Sequence, residues 1–250
     1  MTSTNGVTPT TSGRDARRRE LATNLQHLRQ RIAAACAAAG RPVDDVAVIA
    51  ITKTFPASDV VLLAELGVTD VGENRDQEAA PKVAEVAAVH ERSSVLRWHF
   101  VGALQTNKCA SVVRYASLIH SVDRLRVVDA LAHAAQQTAV SCLVQVDLGE
   151  TSSPGRAGAR PEEVGVIADA VAAESRLELA GVMAVAPLGA DPEAAFRKLA
   201  EIADAVRQRH PLARVISAGM SGDLEQAVAN GATHLRVGSA LLGARRHPVR

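Results

Sequence analysis

A single (β/α)8 barrel with one extra helix at its N-terminus is the fold this sequence predicts, on three observations. Eight short apolar runs alternate with amphipathic stretches along the 250 residues, a βα rhythm that implies a parallel sheet with right-handed crossovers. The first run, VAVIAIT at 46–52, is apolar throughout rather than alternating, as a strand covered on both faces should be. The length matches the roughly 200–250 residues that such barrels use as one domain. An open, doubly wound sheet could be built from the same elements, since three of the strands are very short, but a count of eight favours closure.

Residues 1–13 are mainly Thr, Ser, Gly, Asn and Pro, with little to bury, and read as a disordered tail ahead of a barrel domain at 14–250. A helix then begins near Asp15. Leu21, Leu25, Leu28, Ile32 and Cys36 recur at helical spacing and draw one apolar stripe. Arg17, Arg18, Arg19, Arg29 and Arg31 lie mostly off it, and read as a solvated face rather than a site for an anionic partner. Gly40 and Pro42 end the helix. Strands follow at 46–52, 70–72, 97–101, 118–121, 140–146, 179–185, 214–217 and 233–237. Between them fall helices at about 57–66, 74–89, 106–114, 123–138, 161–175, 191–209 and 222–229. The eighth unit ends near Arg245, and no second domain is expected in this chain.

Composition removes several functions. Lys+Arg 28 against Asp+Glu 27 gives a net charge of +1, and aromatics are 2%, too little for phosphate neutralisation or base stacking along a nucleic acid. No apolar stretch reaches the roughly 18–20 residues that span a bilayer, and the N-terminus lacks the apolar core of a signal peptide, so a soluble cytoplasmic protein is expected. Cys36, Cys109 and Cys142 lack metal-ligand spacing and an even count, and read as small apolar side chains. The Ala- and Val-rich helices offer no sustained heptad seam, and a monomer or weak dimer is expected.

In such a barrel the functional groups gather where strands run out into the following loops. The first strand ends in Thr52-Lys53-Thr54, and Lys53 interrupts an apolar run at the mouth. Partial desolvation there would lower its pKa from about 10.4 and enlarge the neutral, nucleophilic fraction of its amine. The alternatives are a lysine reaching to the rim or pairing with Glu73. The loops after strands seven and eight read SAGMSGD and GSALLG. Phosphate sites in these barrels commonly use those two loops; their glycines let the main chain approach an anion, and Ser217, Ser221 and Ser239 offer hydroxyls. Ordinary helix capping would use the same residues. A reactive lysine and a phosphate cradle in one cavity describe what pyridoxal 5′-phosphate requires. Arg236, if it points inward at the pyridine nitrogen, disfavours protonation there and makes the ring a weaker electron sink; if it points outward, it is a surface residue.

The stretches ITKTFP, VGENRDQE, RWHFVGALQTNK, IHSVDR, GVMAV, AGMSGD and LRVGSALLGARR, in this order from about residue 20 to Ala244, resemble the pyridoxal phosphate homeostasis proteins, also called PLP-binding proteins. The resemblance implies a (β/α)8 TIM barrel of the alanine racemase N-terminal type. It implies that Lys53 holds the cofactor as a Schiff base, that Ser217, Ser221, Gly238 and Ser239 bind its phosphate, that Arg236 faces the pyridine nitrogen, and that Asn74 and Met183 lie near the ring. His99, Gln105, Asn107 and Lys108 match a signature of less evident role. Many relatives carry a Lys-Ser-Gly type segment after the fifth strand; this chain reads Thr151-Ser152-Ser153-Pro154-Gly155-Arg156-Ala157-Gly158, which puts contacts assigned to that loop in doubt.

The resemblance implies a carrier or regulator of the pyridoxal phosphate pool with no established catalytic reaction, and PLP-dependent apoenzymes as partners. Two alternatives stand beside it. A PLP-dependent racemase or decarboxylase would need an acid/base group near the substrate, for which His99 or Tyr115 would have to serve. A Schiff-base aldolase acting on a phosphorylated sugar would use the same fold and a similar lysine.

Overall fold

The structure is a computed structural model, and it describes residues 11–89, 95–136, 139–149 and 157–244. Strands β1 (Ala47–Ile51), β2 (Asp70–Glu73), β3 (Arg97–Phe100), β4 (Ala116–Val122), β5 (Val140–Val146), β6 (Leu177–Ala184), β7 (Val215–Ser217) and β8 (His234–Val237) form a closed barrel in sequence order. All pairs are parallel, and β1 closes the ring on β8 with Ile49 opposite Arg236. The expected closed barrel is therefore the fold, and the open sheet is excluded.

Helices α2 (Ala57–Glu65), α3 (Asp76–Val89), α4 (Cys109–Val112), α5 (Leu125–Ala134), α6 (Pro161–Ala173), α7 (Pro192–Arg209) and α8 (Leu224–Ala229) follow β1 to β7. Each is trimmed relative to the sequence pattern, because period 3.6 marks the buried stripe and not the ends. Three strands are longer than expected: β2 runs on to Glu73, β4 starts at Ala116 and β6 at Leu177. A final turn, α9 (Ser239–Leu242), buries Leu241 and Leu242 after β8; it is too short for its periodicity to be read.

Helix α1 (Thr11–Ala38) begins upstream of Asp15, so residues 11–13 of the expected tail are helical; residues 1–10 lie outside the described residues. The early turns are held by ion pairs: Arg14 to Glu65 at 2.5 Å and Arg17 to Asp59 at 2.7 Å. The stripe Leu21, Leu25, Leu28, Ile32 and Cys36 is buried, and α1 packs on α8 and α9 beside the end of β8. Burying five such side chains stabilises the packing by roughly 1.5–3 kcal/mol for each large one.

Apolar residues separate into two regions. The large one lies between the sheet and the helices, while a small one inside the barrel joins Leu118, Leu143 and Met183 with Ala180 and Val215. The three cysteines are buried; burial pushes the Cys109 thiol up to about 11 and that of Cys142 to about 12, as suits small apolar fillers. Among the described residues no helix is long and apolar enough to cross a membrane.

Candidate binding site

Lys53 stands two residues beyond β1, partly buried, between two constrained neighbours. Thr52 is fully buried and donates its hydroxyl to Glu73 Oε1 at 2.6 Å. Thr54 has φ +69°, a left-handed conformation that costs a β-branched residue roughly 1–3 kcal/mol and is characteristic of ligand-binding turns. Glu73 takes its cation from α3: Lys82 Nζ donates to Glu73 Oε1 at 2.6 Å and to Thr52 O at 2.9 Å.

The loops after β7 and β8 meet at this same end. Ser221 Oγ accepts from Ser239 Oγ and from the backbone N–H of Ala240, each at 3.2 Å. Gly219 has φ +84°, which lets the chain turn sharply between Ser217 and Ser221. Gly238 lies against β1, where an added Cβ would be 3.6 Å from Ile51 Cβ. On the opposite side the turn after β3 rests directly on Asn74: a Cβ at Gly102 would stand 2.0 Å from Asn74 O, so no other residue fits there. Met183 is buried in the inner apolar cluster. Of the signature residues, Gln105 and Asn107 are exposed and Lys108 closes a 3-10 turn, Thr106–Lys108, while His99 is inside the barrel.

Arg236 points inward. It is 5% exposed, and its guanidinium donates to Ser217 Oγ and to Ala184 O, both at 2.7 Å. Burial pulls it down to about 10, so it stays charged at neutral pH. Ser217 departs from the expected phosphate role: its hydroxyl is fully buried, engaged by Arg236 and 3.0 Å from His120 Nδ1. The residue is the last of a strand, so the barrel's two-residue alternation turns its side chain inward, away from the loop that begins after it. The hydroxyls that face the loop pair are those of Ser221 and Ser239.

Two inward residues escaped the sequence reading. His120, within IHSVDR, and Asp70, at the start of β2, are both buried and linked through His99. The available signal was period-two alternation with Leu118, which places His120 on the inner face. Tyr115 donates its hydroxyl to Asp76 on α3 at 3.4 Å; burial, then Asp76 and Glu73, push its phenol well above the ordinary value. Residues 151–156 of the divergent loop lie outside the described residues; Ala157 O accepts from Gln145 Nε2 at 3.1 Å.

Fold and site define a class: a barrel of the alanine racemase N-terminal kind, with a lysine at its mouth and two serine-bearing loops beside it. Residues 23–246 match the family described as "Alanine racemase, N-terminal domain". The pyridoxal phosphate homeostasis protein of Mycobacterium tuberculosis is 43% identical over 244 residues, covering 92% of this chain and 95% of that protein. The structure of PipY from Synechococcus elongatus with PLP bound is 31% identical, with a TM-score of 0.76, over 89% of this chain and 100% of that one. Alanine racemase from Corynebacterium glutamicum shares the fold at 14% identity and a TM-score of 0.69, over 93% of this chain but 64% of the racemase. The chain belongs to the pyridoxal phosphate homeostasis protein family, within the alanine racemase N-terminal domain family.

Proposed function

We propose that the protein binds pyridoxal 5′-phosphate, holds it covalently through the amine of Lys53, and serves as a carrier or regulator of that cofactor rather than as a catalyst. The inward guanidinium of Arg236 carries this reading. A buried cation whose hydrogen-bond acceptors are a hydroxyl and a carbonyl keeps N–H donors and charge for a further acceptor, and an unprotonated pyridine nitrogen fits. Bound there, the cofactor supplies an aldehyde for an amine to attack and an electron-withdrawing ring.

The chain's residues divide the remaining work. Ser221, Ser239 and the backbone at Gly238 hold the phosphate between two loops that already touch. Asn74 and Met183 flank the ring. Arg236 opposes protonation of the ring nitrogen, which limits carbanion stabilisation. The groups that catalysis would need are committed elsewhere: His99 to Asp70 and His120, Tyr115 to Asp76. That supports the carrier reading over a racemase or decarboxylase. PLP-dependent apoenzymes in the cytoplasm are the partners this reading requires, with the barrel at 14–250 acting as monomer or weak dimer.

The purified protein is expected to be yellow, and borohydride reduction followed by peptide mass spectrometry to place the adduct on Lys53. Lys53→Ala should lose both visible absorbance and adduct. An unchanged spectrum in that variant overturns the assignment.

A further inference from the structure

Side chains that point into a (β/α)8 barrel are ordinarily layers of branched apolar residues. Here polar ones from β2, β3, β4, β7 and β8 make a continuous chain across the interior. Asp70 accepts from Arg97 Nε at 2.7 Å and from its terminal nitrogen at 2.6 Å, and lies 2.9 Å from His99 Nε2. His99 Nδ1 is 2.9 Å from His120 Nε2, and His120 Nδ1 is 3.0 Å from Ser217 Oγ, which accepts from Arg236. Asp70, His99, His120, Ser217 and Arg236 are all buried, whereas the Arg97 side chain is 60% exposed.

The chemistry of the two ends fixes the protons between them. A guanidinium only donates and an ionised carboxylate only accepts. Burial would raise the Asp70 carboxyl, but hydrogen bonds from His99, Arg97 and Thr69 hold it well below its ordinary value, so it is ionised. His99 therefore donates from Nε2 and, when neutral, accepts at Nδ1. His120 must then donate from Nε2 and accept at Nδ1, and the hydrogen it accepts is that of Ser217. Burial, with His99, Arg236 and His234 nearby, holds His120 well below its ordinary value, consistent with a neutral ring. Every proton from Arg236 onward is thus directed toward Asp70. The charged and titratable groups facing the histidine pair are Asp70 and Arg97 at one end, Arg236 at the other, and His234, whose ring centroid lies 6.4 Å from that of His99.

We propose that His120, backed by His99 and Asp70, is a positioning residue for the cofactor: by drawing the Ser217 proton to itself it makes that hydroxyl a pure acceptor for Arg236, which fixes the guanidinium opposite the ring nitrogen. The inference rests on the cofactor reading above. Were the Ser217 proton turned the other way, it would face a guanidinium N–H and push the arginine out of place. Because the chain ends on a carboxylate, each bond polarises the next in the same direction.

Nitrogen-15 NMR of histidine-labelled protein without cofactor reads the proton arrangement directly. His120 is expected as a neutral ring protonated at Nε2; a cationic His120 ring at neutral pH, or His120 protonated at Nδ1, overturns the proposal. A second experiment follows the absorbance of bound pyridoxal phosphate against pH. His120→Leu should move its titration midpoint by about one pH unit and weaken binding about tenfold. His120→Asn, whose carboxamide oxygen stands near the place of Nδ1, should restore most of both. Equal midpoints in wild type, His120→Leu and His120→Asn overturn the relay and leave the cofactor assignment standing. A wild type that binds no chromophore overturns the cofactor assignment and the relay with it.

Discussion

Two buried charge networks lie on opposite sides of the same barrel wall, and they are arranged to opposite effect. Outside the sheet, beneath α3, Lys82 sits directly on Glu73, with Thr52 completing the group. Inside the barrel, Arg236 and Asp70 are kept apart by a serine and two histidines. In the outer network opposite charges cancel at contact, which fastens β1, β2 and α3 together just below Lys53. In the inner network the cation is anchored by neutral oxygens and its charge stays available to a ligand. Asp70 has its own contact cation in Arg97, whose side chain is largely exposed, whereas the buried Arg236 is held by a hydroxyl and a carbonyl.

The sharpest way to break this contrast is to remove the outer cation. Lys82→Met leaves the Glu73 carboxylate, 0% exposed, without its partner, a change expected to cost about 3–5 kcal/mol. Urea unfolding at neutral pH measures it. The double variant Lys82→Met with Glu73→Leu should recover most of the loss, because an apolar pair of similar volume replaces buried ions at little cost. The absorbance of bound cofactor should be the same in the double variant as in wild type. A spectral shift as large as that of His120→Leu would mean that the wall does not separate the two roles.

Acid should load the histidines inside the barrel. Burial, then the neighbouring His99, pulls His234 down to about 4 in the folded protein, against about 6.5 when unfolded. Between those values the unfolded chain binds the extra proton, so stability rises with pH across that window and falls as pH drops from about 6.5 toward 4. The single group accounts for about 3 kcal/mol over the range. Urea titrations at pH 7.5 and 4.5 should show at least that loss, since the buried His120 is held low as well, and His234→Gln should shrink the difference by about 3 kcal/mol. A slope unchanged in His234→Gln would assign the acid sensitivity to another group.

How far these networks could be read in advance differs between their parts. The barrel was legible because eight apolar runs at βα spacing have few other solutions, and Lys53 stood out as a charge ending the first of them. Arg236 was legible as a residue, yet its direction was open until β8 was seen paired with β1 and its guanidinium bound to Ser217. His120 and Asp70 were not legible, since a histidine or aspartate in a strand acquires meaning only from which face it takes and what the neighbouring strands bring. Likewise Glu73 read as a partner for Lys53, which shares the barrel mouth with it, whereas Lys82 reaches the same carboxylate through the packing of α3. Strand register and helix docking supply that information, and neither is written in local spacing.

The arginines of α1 give the smallest and most particular test. Their sequence pattern reads as a solvated face, but Arg31 holds both oxygens of Glu225 and also donates to Ser221 O at 3.1 Å. Both side chains of that ion pair are exposed, so Arg31→Ala should lower global stability by less than about 1 kcal/mol. Ser221, however, is the hydroxyl where the loops after β7 and β8 meet, and its carbonyl is tied to α1 through Arg31. Releasing that tie should weaken cofactor binding about two- to fivefold while leaving the midpoint of the chromophore's pH titration in place. Arg31→Lys should not fully compensate, because an ammonium cannot span the carboxylate and the carbonyl with a planar fork. A shift in midpoint would connect α1 to the inner network, whereas unchanged affinity would reduce its arginines to the solvated face that their spacing suggests.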